Sequence, residues 1–124
     1  MDVVFNTSQL QNASQEYLLE SVIHETYHAY LYVNPSVLNN LIQHVYMAQN
    51  YVNAEVALLI NLYPPLSANA NHDALALVLA GYGDLQATNP SAFNAILVTY
   101  GMTAADVAST NAGYKAGTSG TKCN

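Results

Sequence analysis

Four prolines cut this chain into helical lengths. Pro35 pushes the residue before it out of the α region, and Pro64-Pro65 stops any helix that reaches them. Pro90, behind Asn89, sits where a helix can begin. Between these breaks apolar residues recur at helical spacing. Over 13–33, Leu18, Leu19, Val22, Ile23 and Leu31 give apolar faces, Asn12 or Ser14 can cap, and Glu16 suits the positive end of the helix dipole. From Ser36 the pattern runs through Leu38, Leu41, Ile42, Val45, Ala48, Val52, Val56, Leu59 and Leu62. That predicts a helix of about 26 residues, with a kink or break near 49–53. A short apolar helix over 72–80 ends at Gly81-Tyr82-Gly83, and another runs from Pro90 to about Tyr100. Thr103 caps a last helix that fades by Gly113. Val3-Val4-Phe5 reads as an edge strand or extended arm. The expectation is a mainly α fold with at most a vestigial N-terminal strand, in one domain over 1–112, followed by a flexible tail over 113–124.

The first long helix carries His24-Glu25-Thr26-Tyr27-His28, an H-E-x-x-H sequence. Positions four apart on an α-helix lie about 40° apart, so His24 and His28 share a face and can hold one Zn²⁺ from two sides. Glu25 is turned about 100° from His24, within reach of a metal-activated water as general base. The bland alternative is a surface histidine pair on an ordinary amphipathic helix. Uncharged flanks and the helical context favour the metal.

A catalytic zinc needs a third protein ligand and an open position. His44 comes first, because a tight turn at Asn34-Pro35-Ser36 can fold the second helix back against the first. His72 and Glu55 are the alternatives. Glu55 shares a helix face with His44 but lies roughly 16 Å further along a straight helix, so the two cannot bind one ion together. His72-Asp73 otherwise reads as the first turn of its helix, and Glu55 as a solvated carboxylate or one that holds a ligand histidine by a hydrogen bond. Tyr27, Tyr30 and Tyr51 read as packing residues, and Gly81 and Gly83 as helix ends.

Composition narrows the partners. Net charge is −6, the only basic residues are Lys115 and Lys122, and 8% of residues are charged against 52% hydrophobic. With no basic footprint to neutralise phosphates, nucleic acid is not expected as a partner. No apolar run reaches the length of a membrane span. Cys123 stands alone and can form no disulfide within the chain; it is an idle thiol or pairs with a cysteine elsewhere in a longer protein. No signal peptide is visible, the opening Met1-Asp-Val-Val-Phe5 reads as a fragment start, and the low charge fits a secreted or periplasmic setting.

The segment Ile23-His-Glu-Thr-Tyr-His-Ala-Tyr-Leu31, followed by Gln43-His-Val-Tyr-Met-Ala-Gln-Asn-Tyr-Val52, resembles the SprT-like zinc metallopeptidases, especially bacterial extracytoplasmic members. Ala80-Gly-Tyr-Gly-Asp-Leu85, Thr88, Phe93 and the ending Gly120-Thr-Lys-Cys123 resemble their C-terminal part. The resemblance implies a zincin-like helical domain, Zn²⁺ on His24, His28 and His44, Glu25 as general base, and a peptide or protein substrate. Two departures stand out. Val45 follows the third histidine where an acidic residue is expected, and the basic regions of the DNA-associated relatives are missing. The strands that wall a zincin cleft are almost absent, which leaves a non-catalytic, metal-stabilised or interaction domain as the alternative.

Overall fold

The computed structural model describes residues 4, 6–33, 40–69 and 71–123. Among them the chain is mainly helical: α1 (Thr7–Leu10), α2 (Gln15–Val33), α3 (Asn40–Asn50), α4 (Val52–Leu62), α5 (His72–Ala80), α6 (Leu85–Thr88), α7 (Pro90–Tyr100) and α8 (Ala104–Lys115), with a 3-10 turn at Pro64–Ser67. The described residues form no strand, only an isolated antiparallel bridge between Ser14 and Lys122. Val3 and Phe5 of the expected N-terminal strand, and the whole turn around Pro35, lie outside the described residues. No described helix is long and apolar enough to cross a membrane.

α5 is the centre of the packing. Its sequence is apolar on every side after Asp73, and Ala74, Ala76, Leu77, Val78 and Leu79 are all buried. A helix without a polar face belongs in the interior. α2, α4 and α8 pack around it, while α3 bridges α2, α4 and the α6–α7 pair. The long second helix does break where the sequence predicts: Tyr51, at φ −117° and ψ −10°, separates α3 from α4. Tyr51 is held there by ring contacts with Tyr27 and Tyr46. The bend leaves Met47 and Ala48 of α3 and Val52, Glu55 and Leu59 of α4 all buried.

Caps explain the remaining boundaries. The Asn89 side chain accepts the Ala92 N–H ahead of α7, and Gly101 ends that helix at φ 65°. Thr103 and Asp106 form a reciprocal capping box at the start of α8.

The C-terminal segment departs from the expected flexible tail. α8 continues past Gly113 to Lys115, and the residues after it turn back onto the start of α2. The Gln15 N–H donates to the Thr121 carbonyl at 2.8 Å, and the Ser14 N–H to that of Tyr114 at 2.9 Å. In return the Thr121 N–H and hydroxyl both donate to the buried Glu16 carboxylate, at 2.9 and 3.0 Å. Composition made this stretch look loose; the unsatisfied donors at the helix start and one buried carboxylate secure it. Charge-assisted bonds of this kind contribute about 1.5–3 kcal/mol. Glu16→Ala should lower unfolding stability by about that much in urea denaturation. An unchanged midpoint would mean that the clasp adds nothing.

Candidate metal centre

The i, i+4 spacing on α2 sets the His24 and His28 rings one turn apart, edge to face with centroids 4.8 Å apart, and α3 brings His44 against both. Their Nε2 atoms form a triangle: 3.1 Å between His24 and His28, 3.2 Å between His24 and His44, and 2.9 Å between His28 and His44. All three residues are buried, at 6–7% exposure. A tetrahedral ion at about 2.0–2.1 Å from each nitrogen sets its ligands about 3.3 Å apart, close to this spacing.

The outer nitrogens leave the triangle free to hold a cation. His44 Nδ1 lies 2.7 Å from Asp84 Oδ1, so it carries a proton and donates it to the carboxylate. His28 Nδ1 donates in the same way to Gln43 Oε1 at 2.7 Å. In neutral rings fixed like this, both Nε2 atoms present lone pairs. Two lone pairs facing each other at 2.9 Å repel unless something positive lies between them. Burial, with a smaller push from His28 and His44, lowers the His24 pKa to about 3, so this ring is neutral and offers its own nitrogen as a ligand.

The glycine-rich turn after α5 shapes the site. Gly81, at the end of α5, leaves room for the His24 ring: a Cβ there would lie 2.8 Å from His24 Nδ1 and 3.2 Å from the Val78 carbonyl oxygen. Three residues on, Asp84 reaches His44. Between them Tyr82 is fully buried, its ring centroid 5.2 Å from that of His24 and 5.8 Å from that of His44. The Tyr82 hydroxyl donates to Glu55 Oε1 at 2.6 Å.

The other candidates fall elsewhere. His72 is partly exposed at the start of α5, with Nδ1 3.1 Å from Asp73 Oδ1, away from the cluster. Glu55 is fully buried, with Oε2 4.0 Å from the outer nitrogen of His24. It therefore stands on the opposite side of that ring from His44, and the two do not face one ion. Burial raises its pKa to about 7 against the opposing Tyr82 hydrogen bond. Glu25 is half-buried on α2, directly after His24.

Sequence reasoning missed Gln43, Asp84 and the steric role of Gly81. The acidic partner sought beside His44 at position 45 comes instead from Asp84, forty residues along the chain. The segment Ala80-Gly-Tyr-Gly-Asp-Leu85 carried a signal, since two glycines flank a tyrosine and an acid follows. No spacing rule tied it to His44.

No family model, curated protein or solved structure matches this chain. The outer hydrogen bonds of ligand histidines typically govern metal affinity about 10–100-fold. Asp84→Ala should weaken metal binding by that factor in a competition titration against a chelating dye. Gly81→Ala should do the same by displacing the His24 ring, with helical circular dichroism retained. Unchanged affinity in both variants would mean that the triangle does not bind the ion.

Proposed function

We propose that the chain is a zinc-dependent hydrolase, most simply a peptidase of the SprT-like kind, with His24, His28 and His44 as the metal ligands and Glu25 as general base. The observation that carries this reading is the convergence of three buried Nε2 atoms, two with their outer nitrogens already committed as donors. Three imidazoles suit zinc among the available metals, although they also accept copper, iron or nickel. When bound, zinc would supply Lewis acidity toward a scissile carbonyl and make a water acidic near neutral pH.

The chain's own residues divide the remaining work. Asp84 and Gln43 hold the His44 and His28 rings in the tautomer that presents Nε2. Gly81 and Tyr82 fix the His24 ring from the side. Glu25, turned about 100° from His24 on the same helix, would take a proton from the attacking water on one carboxylate oxygen and return it to the leaving amine.

A second reading, a metal that only stabilises the fold, is favoured by one observation: the ligand residues are only 6–7% exposed, whereas a catalytic ion needs an open position. Glu25→Gln separates the two. The hydrolase reading expects a drop of about 10²–10⁴-fold in cleavage of a broad peptide library, with bound zinc unchanged, since general bases contribute about that much. Cleavage by the variant at the wild-type rate would remove Glu25 from the chemistry. Zinc bound without any cleavage by the wild type would favour the structural ion.

A further inference from the structure

Beside the histidine triangle lies a second group of buried donors that it does not use. Glu20 Oε1, Glu55 Oε2 and His24 Nδ1 are all buried without a hydrogen-bond partner. One ligand atom of each residue lies within 4.8 Å of the other two. Glu20 is 5% exposed and Glu55 fully buried. Glu20, His24 and His28 form an E-x-x-x-H-x-x-x-H stripe along α2, so the helix that offers two imidazoles to one centre offers a carboxylate one turn earlier to the other.

His24 differs from its two neighbours in this respect. The outer nitrogens of His28 and His44 are taken by Gln43 and Asp84, but that of His24 lies unpartnered 4.0 Å from Glu55 Oε2, in one group with Glu20. Tyr82 occupies Oε1 of Glu55 and leaves Oε2 free to face the ring. No basic side chain balances the pair: Lys115 and Lys122 are the only ones in the chain, and both are exposed. Two buried carboxylates without a counter-charge are costly, and a proton or a metal ion would relieve them. Burial, followed by the charges of Glu55 and Glu25, raises the Glu20 carboxyl well above the usual range.

We propose that Glu20, Glu55 and Nδ1 of His24 form a second divalent-cation site, sharing the His24 imidazole with the three-histidine centre. Two carboxylate oxygens with one imidazole nitrogen suit zinc, manganese or ferrous iron better than calcium or magnesium, which take oxygen ligands throughout. Loading both sites leaves the His24 ring bridging two ions, and its remaining N–H proton passes to solvent. The second ion locks the one ligand ring that lacks an outer hydrogen bond and balances the two acids. The site stands on its own geometry, whichever reading of the first centre holds.

Metal counting tests it directly. The full chain is stripped with a chelator, reloaded with Zn²⁺, desalted and measured by elemental analysis, with isothermal titration in parallel. The wild type should hold two equivalents. Glu20→Leu, an apolar replacement of similar volume, should hold one, and so should His44→Ala, which leaves the second site intact. A wild type with one equivalent that His44→Ala loses and Glu20→Leu keeps would overturn the second site and leave the first. One equivalent lost in Glu20→Leu and kept in His44→Ala would support the second site and sink the three-histidine reading instead. If Glu20→Leu does not fold, one equivalent in the wild type still overturns the proposal once His44→Ala loses it.

Discussion

Three buried imidazoles converge with their Nε2 atoms 2.9–3.2 Å apart, and most of this fold holds those three in place. α2 supplies two of the rings at the spacing of one helical turn. α3 supplies the third, and the turn after α5 supplies both the carboxylate behind it and the glycine that admits His24. α5 can occupy the middle of the bundle because its apolar sequence needs no solvent-facing side. The turn that follows it therefore emerges against the histidines, and the central position of α5 and the placement of Asp84 share one cause.

Much of this was legible in the chain before its structure. The prolines and the periodicity gave α2, α5, α7 and α8 nearly residue for residue, and the length of the second helical run foretold a break near 49–53, where Tyr51 bends it. His24 and His28 are legible as a pair because a helical repeat makes spacing a surrogate for geometry, whereas His44 rests on the turn that folds the second helix back, with His72 and Glu55 as alternatives. Asp84 and Gln43 were not legible as partners: hydrogen bonds between separate helices leave no periodic trace. Glu55 shows the limit of reasoning with straight helices. Its backbone lies far along from that of His44, yet both side chains reach His24, because an imidazole has two nitrogens on opposite edges. The tail departs from what its composition suggests because glycine, serine and threonine signal looseness only while their backbone groups lack partners.

The scarcity of basic residues ties composition to the site. A protein rich in lysine and arginine can neutralise a buried glutamate with a neighbouring side chain. Here the interior acids Glu16, Glu20 and Glu55 must find backbone donors, a tyrosine hydroxyl, a proton or a metal ion. Glu16 takes the first solution and Glu55 takes the second with one of its oxygens.

The clasp between Glu16 and Thr121 spans 105 residues of chain. A ribosome therefore finishes α2 and its paired histidines long before it makes the segment that secures the start of that helix. Contacts so distant in sequence form late and slow folding, because a long loop must close before they give anything back. During synthesis the two imidazoles of α2 precede both His44 and Asp84. A metal ion meeting the nascent chain would find half a site first, and the complete cage only after the turn behind α5 has emerged.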